Sequence, residues 1–114
     1  MASELVFYTA PMSRGRMVRW MLEELGEPYD AVLLDLRNLP ADYKRLNPIA
    51  KVPAIAHRGR VVSETPAICV YLAETFPKAG LGPTPDERAD FFRWMFFASG
   101  PLEAAMVNQS LGFS

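Results

Sequence analysis

The sequence predicts an α/β fold, in which a four-stranded mixed sheet carries helices on its faces and a further helix follows. Three observations support this prediction. The first stretch of about thirty residues has the pattern of a strand, a helix and a second strand. A glycine-containing turn at residues 57–60 separates two short apolar runs. A stretch rich in proline and glycine, residues 78–85, precedes a long aromatic segment.

Composition and charge narrow the class of protein. The chain has 114 residues, of which 50% are hydrophobic and 22% charged, enough for one small domain with a core. The net charge of −1 gives no basic surface for nucleic acid, and no apolar run approaches the ~20 residues of a membrane helix. Cys69 is the single cysteine, which fits a reducing compartment. With Glu4 and no basic segment at the start, we expect a cytoplasmic protein.

The first predicted elements form a βαβ unit. Residues 5–8 are a short apolar strand that ends before Pro11, and Ser13 then caps a helix that Gly26 ends. Residues 29–34 form the next strand, which the crossover helix makes parallel to the first. The helix repeats its apolar side chains at the spacing of one helical face: Met17, Val18, Met21, Leu22 and Leu25.

The middle of the chain predicts a hairpin. Residues 36–46 carry a weak signal for one or two irregular helical turns. Residues 52–56 and 61–62 are the paired strands, and Gly59 supplies the turn between them. His57 is expected in this turn, exposed to solvent.

A third helix follows the hairpin at residues 65–76. Thr65 is expected to be its N-cap, with Pro66 at the first helical position, and Phe76-Pro77 ends it. Glu64 then stands just outside the positive end of the helix. It is either a surface charge near the cap or a partner for a ligand's cation.

The last segment has a different composition. We expect a first domain at residues 1–78, a linker at 79–85 and a helical segment at 86–114 that starts at Asp86. Aromatic side chains fall on every face of this helix, which predicts burial all round, with a break or kink at Gly100-Pro101.

The predicted order of elements is thioredoxin-like, and four stretches are similar to the glutathione transferase family, in particular to bacterial serine-type members. They are YTAPMSRGRMVRWMLEELGEPY, LNPIAKVPAI, SETPAICVYLAETF and WMFFASGPLE, at residues 8–29, 46–55, 63–76 and 94–103. The resemblance implies glutathione as co-substrate, activation of its thiolate for attack on a small electrophile, no metal, and a homodimer. It also implies an all-helical second domain, of which residues 86–114 are only the first helix, so that this domain is truncated and we expect the chain alone to have little or no activity.

The resemblance assigns the site residue by residue. Ser13 becomes the catalytic hydroxyl that hydrogen-bonds the sulfur, whereas the residues alone also allow a simple helix cap. Lys51, Val52 and Pro53 become glutathione-binding residues, with a cis Val52–Pro53 bond and the Val52 backbone paired to the tripeptide. The residues alone equally allow a trans proline on an edge strand and a solvated lysine. Ala50 departs from the family, in which glycine is usual here.

The remaining glutathione-binding residues are Glu64, which receives the γ-glutamyl ammonium, and Thr65, which binds the neighbouring carboxylate. Dithiol chemistry is disfavoured because Pro11-Met12-Ser13-Arg14 lacks the two cysteines of a C-x-x-C motif, and we expect Cys69 to be buried. Two other functions stay open: a non-catalytic thioredoxin-like interaction module, and a glutathione-dependent reductase or dehalogenase.

Overall fold

A computed structural model describes residues 3–112 and shows one mixed sheet. Its strands are β1 Leu5–Thr9, β2 Asp30–Leu33, β3 Ala54–His57 and β4 Arg60–Ser63. They lie in the order β2-β1-β3-β4; β1 and β2 are parallel, and β3 is antiparallel to both of its neighbours. The predicted fold class, a parallel pair extended by an antiparallel hairpin, is confirmed.

Within residues 3–112, two α-helices separate the first three strands, and three more follow β4. They are α1 Gly15–Leu25, α2 Ala41–Leu46, α3 Thr65–Thr75, α4 Arg88–Phe97 and α5 Glu103–Ser110. Side chains of α1 and α3 meet those of β1 and β3 in one buried cluster, formed by Leu5, Phe7, Val18, Leu22, Leu25, Ile55, Ile68 and Leu72. The helical spacing that predicted α1 therefore identified Val18, Leu22 and Leu25 as buried, whereas Met17, predicted on the same face, is 45% exposed.

His57 corrects the sequence-based expectation of a solvated side chain. It is the last residue of β3, paired with Arg60, and only 3% of it is exposed. Its Nδ1 lies 2.7 Å from the Tyr71 hydroxyl, and its ring also contacts Phe76. The reason is that the turn contains only Arg58 and Gly59, both with positive φ (51° and 79°), as a tight two-residue hairpin requires.

The start of α3 also differs by one residue from the prediction. Glu64, not Thr65, is the N-cap, because the Glu64 carbonyl accepts from the Ile68 N–H at 2.9 Å. Thr65 is the first helical residue and Pro66 the second. Glu64 has φ 76° and makes no side-chain capping bond. The usual cap preference failed because the chain leaves β4 through a positive-φ residue.

The chain divides into two compact units, Met1–Leu81 and Gly82–Ser114. The second begins with a capping box in which the Glu87 carboxylate accepts from the Thr84 N–H at 2.9 Å. This box opens a 3₁₀ turn, Pro85–Glu87, so the helical run starts before the predicted Asp86. Gly100 and Pro101 lie in a π-helical segment, Ala98–Leu102, that joins α4 to α5. The predicted interruption therefore takes the form of a π turn.

Within residues 82–112 no side chain is buried, so the prediction that the aromatic helix is buried all round is wrong for this chain. Trp94, Phe96 and Phe97 are 53%, 61% and 45% exposed. Their rings contact one another or other rings of α4. A single helical run has no second layer in its own unit against which to bury several faces.

Candidate functional site

The strand register brings three separate segments to one end of the sheet. Tyr8 of β1 lies opposite Ala54 of β3, which in turn lies opposite Ser63 of β4. The end of β1, the start of β3 and the end of β4 therefore coincide, and we call this the upper end of the sheet. The segments attached there are residues 10–14, 50–53 and 64–65.

Two helices also begin at the upper end of the sheet. α1 starts at Gly15, shortly after β1, and α3 starts at Thr65, directly after β4. The N-terminus of a helix carries about half a unit of positive charge and unpaired N–H groups. The upper end therefore favours anionic groups near Ser13 and Thr65.

Ser13 is half-buried, and its hydroxyl already has two partners. It donates to the Ala10 carbonyl at 2.6 Å and accepts from the Gly15 N–H at 3.1 Å. Gly15 is held against β1, since a Cβ atom there would lie 1.8 Å from Thr9 Oγ1. The expected cap is present, and the same contacts fix the hydroxyl at the upper end.

The Lys51-Val52-Pro53 segment leads into β3. The Val52–Pro53 bond is cis, as expected from the resemblance. Pro53 is buried, Val52 is half-buried and the Lys51 side chain is exposed. The segment thus presents its backbone beside the first residue of β3, while the Lys51 ammonium is free to reach a ligand at the surface.

Glu64 and Thr65 occupy the turn from β4 into α3. The Glu64 side chain is exposed, and Thr65 is half-buried. Glu64 contributes a carboxylate beside the helix N-terminus, where the first N–H groups of α3 begin. A ligand with an ammonium next to a carboxylate matches both charges.

Unusual backbone conformations concentrate at the upper end of the sheet. Within residues 3–112, the non-glycine residues with positive φ are Met12 (60°), Ala50 (60°), Arg58 (51°) and Glu64 (76°). Arg58 belongs to the hairpin turn at the opposite end, whereas the other three lie directly beside Ser13, Lys51 and Thr65. Conformations of this kind are costly and cluster at functional sites.

Cys69 lies on α3 and is half-buried, where the sequence predicted full burial, and this partial burial raises the pKa of its thiol. That environment is the opposite of the one that activates a cysteine. In the described part of the chain, no three His, Cys, Asp or Glu side chains are grouped to hold a metal ion. None of the helices in residues 3–112 is long and apolar enough to cross a membrane.

Tyr43 and Asn47 were not singled out from the sequence, yet both are buried next to the site. They lie on α2 and at its C-cap, four residues apart, and both contact the Lys51 carbonyl. Burial raises the pKa of the Tyr43 hydroxyl, although its hydrogen bond with Asn47 opposes this shift. The available sequence signal was an aromatic residue and an amide at helical spacing just before a proline.

Comparison with known proteins identifies a family and several relatives, among them glutathione transferases. The family described as "Glutathione S-transferase, N-terminal domain" matches residues 11–75. A glutathione transferase of Zea mays is 38% identical over 93 residues, which is 78% of this chain and 41% of the relative. The LigF protein of Sphingobium sp. is 37% identical over 79 residues, covering 64% of this chain and 31% of the relative. The chain thus spans less than half the length of these curated relatives.

Solved structures extend the similarity to the fold. A glutathione transferase homologue from Sulfitobacter with bound glutathione superposes with a TM-score of 0.72 at 31% identity, covering 84% of this chain and 49% of that one. A sphingomonad glutathione S-transferase complexed with glutathione gives a TM-score of 0.78 at 29% identity, covering 90% of this chain and 54% of that one.

Proposed function

The chain belongs to the glutathione S-transferase family, since that family's N-terminal domain matches more than half of it, and on this premise we propose that it binds glutathione at the upper end of the sheet. In the whole protein, the bound thiol is activated for attack on a small electrophile. Ser13 acts on the sulfur, and Lys51, Val52 and Pro53 contact the cysteinyl-glycine half. Glu64 and Thr65 bind the γ-glutamyl half.

The register of the sheet is the observation that carries this proposal. Neighbouring strands lie ~4.8 Å apart, so β1 and β4, with β3 between them, are separated by about 10 Å. An extended tripeptide has a length of about 10 Å. A ligand of this length can reach from the end of β4 to the end of β1, past the segment that enters β3.

Thiol activation is energetically within reach of Ser13. Lowering a thiol pKa by two units requires about 2.7 kcal/mol of preferential stabilisation of the thiolate. To donate to sulfur, the Ser13 hydroxyl must leave the Ala10 carbonyl, which costs about 1 kcal/mol. A hydrogen bond to a charged group contributes about 1.5–3 kcal/mol, and the start of α1 adds up to about 1 kcal/mol. The net stabilisation of the thiolate is then about 0.5–3 kcal/mol, which reaches the requirement for a two-unit shift at its upper end.

Titration of the chain with glutathione tests the binding site. Glu64→Ala should weaken binding about 10- to 100-fold, because it removes a charged hydrogen-bond partner of the ligand's ammonium. Glu74→Ala is the matched control, since Glu74 is another exposed glutamate near the far end of α3. Equal affinities of the two variants for glutathione would show that Glu64 is a surface charge with no role in binding. A parent chain that binds no glutathione would favour the interaction-module alternative.

The thiolate absorbance of bound glutathione tests Ser13. Ser13→Ala should raise the pKa of the bound thiol while changing glutathione affinity little. Cys69→Ala should leave that pKa unchanged. If Ser13→Ala also leaves it unchanged, the hydroxyl is only the cap of α1, and its loss should appear solely as about 1 kcal/mol of stability.

We also propose that the chain self-associates through its second unit. Trp94, Phe96 and Phe97 are exposed, and burying one large apolar side chain contributes ~1.5–3 kcal/mol. Light scattering at low micromolar concentration should show a dimer or a larger species, and Trp94→Glu should shift it towards the monomer. A monomeric parent chain would contradict this proposal.

A further inference from the structure

The carbonyl oxygen of Lys51 is held by two buried side chains of a neighbouring helix. The Tyr43 hydroxyl donates to it, and Asn47 Nδ2 donates to it at 3.0 Å. Asn47 Nδ2 also lies 3.2 Å from the Tyr43 hydroxyl, so the three groups form a closed triangle. Tyr43 is 3% exposed and Asn47 is 4% exposed. We call this arrangement the Lys51 clamp.

The clamp is anchored on both sides. The Asn47 N–H donates to the Tyr43 carbonyl at 2.8 Å, which ends α2, and the Ala50 N–H donates to the Asn47 carbonyl at 2.8 Å. The Tyr43 ring packs in a cluster with Leu34 and Ala54, the first residue of β3. The position of the Lys51 carbonyl is therefore tied to the core and not only to the loop.

Because the Lys51 carbonyl is held in place, the geometry of the peptide bond also fixes the direction of the Val52 N–H. The bond from Lys51 to Val52 is trans, and in a planar trans peptide the C=O and the next N–H point in opposite directions. Because the carbonyl points towards Tyr43 and Asn47, the Val52 N–H points away from them. This N–H has no acceptor among residues 3–112. A buried triangle thus presents a backbone donor next to the upper end of the sheet.

We propose that Tyr43 and Asn47 are positioning residues that aim the Val52 N–H at the cysteinyl backbone of glutathione. The proposal rests on the proposed function, because it requires glutathione at the upper end of the sheet. Without the clamp, the Lys51–Val52 peptide plane can rotate. Part of the binding free energy is then used to fix this plane, which lowers the affinity for glutathione. The effect is confined to the half of the ligand that this segment touches.

The test compares two ligands on two variants. Tyr43→Phe keeps the ring and removes the donor, and Tyr8→Phe is the matched control, because Tyr8 contacts the Tyr43 ring but is no part of the triangle. For Tyr43→Phe we expect glutathione to bind about 5-fold more weakly. γ-Glutamyl-methylamide, which lacks the cysteinyl-glycine half, should bind as it does to the parent. Tyr8→Phe should bind both ligands as the parent does.

Amide hydrogen exchange at Val52 gives an independent measurement. Glutathione should slow this exchange in the parent chain and in Tyr8→Phe, and much less in Tyr43→Phe. If Tyr43→Phe binds glutathione as the parent does, or loses affinity for both ligands equally, the positioning role is overturned while the proposed function stands. If the parent chain binds γ-glutamyl-methylamide and glutathione equally well, Val52 makes no contact and the proposal fails. A parent chain that takes neither ligand overturns the proposed function and this proposal together.

Discussion

Residues 3–81 and residues 82–112 both contain many aliphatic and aromatic side chains, but only the first unit buries them. Phe7 of β1 is fully buried, whereas Phe96 of α4 is 61% exposed. The first unit has a sheet and helices that close on each other, and the second has one helical run. Apolar composition therefore does not by itself produce a core. A second layer of structure must be present to receive the side chains.

The largest expected effect comes from the same substitution in the two units. Phe7→Ala should lower the free energy of unfolding by about 3–5 kcal/mol, because it opens a cavity in a packed cluster. In the monomer, at a protein concentration too low for self-association, Phe96→Ala should cost only about 0.5 kcal/mol. Urea denaturation followed by circular dichroism at this dilution measures both. A comparable loss in the two variants there would contradict the exposure of Phe96 in the single chain.

Glycine to alanine should have opposite signs in the two units. A Cβ on Gly15 collides with Thr9 Oγ1, so Gly15→Ala should destabilise the chain by about 1–3 kcal/mol. A Cβ on Gly100 would enter open space, with no described atom beyond its own helix backbone within 4 Å, and Gly100→Ala should stabilise the helical run by about 0.5–1 kcal/mol. Thermal unfolding of Gly15→Ala alone and with Thr9→Ala is the check. The double variant should lose less than the sum of the single changes.

Substitution of alanine by glycine should stabilise the first unit and destabilise the second, the reverse of the glycine-to-alanine changes. Ala50 has φ 60°, a conformation that costs a non-glycine residue about 1–2 kcal/mol, so Ala50→Gly should stabilise by about 0.5 kcal/mol after the loss of chain entropy. Ala105→Gly inside α5 should destabilise by about 1 kcal/mol. Destabilisation by both changes, measured by chemical denaturation, would mean that the strain at Ala50 is relaxed in solution.

The smallest expected effect is the pH dependence of the capping box. Hydrogen bonds from the Thr84 backbone and then from its side chain hold the pKa of the Glu87 carboxyl below its usual value. A lowered pKa in the folded state means that this contribution is present above the unfolded-state pKa and is lost as pH falls through the folded-state pKa. Helicity in an acid titration should fall less steeply for Glu87→Gln than for the parent. Asp86→Asn should keep the parent's slope, and identical slopes for all three would contradict the assignment.

The sequence predicted the fold well because its signals are local. Apolar spacing located α1, and the glycine turn located the β3–β4 hairpin, where two residues force the register. The environment of His57 could not be predicted in this way. Its partner, Tyr71, is fourteen positions away on α3 and meets it only after the helix packs on the sheet. The prediction that the aromatic helix is buried was wrong, because a sequence pattern shows which residues share a helical face but not which other element packs on that face.

For the candidate site, the sequence indicated which residues come together but not what they do. Ser13, Val52-Pro53 and Glu64-Thr65 stand out through motif and cap position, and the structure places all of them at the upper end of the sheet. Their roles remain predictions. The Lys51 clamp was not predictable, because Tyr43 and Asn47 act through the orientation of a short helix, α2, for which the sequence carries little signal.

The π segment between α4 and α5 has a consequence for the outline of the second unit. An α-helix advances ~100° per residue, and a π turn holds one residue more than an α turn. Each residue after the π turn therefore lies about 100° behind the angular position that it would have in a continuous α-helix. Counted around the axis from Phe97, Leu102 and Met106 then fall at about 40° and 80°, instead of about 140° and 180°. Trp94 falls at about 60°. The π segment around Gly100 and Pro101 thus places the apolar side chains that follow it on the same side of the helix axis as Trp94 and Phe97.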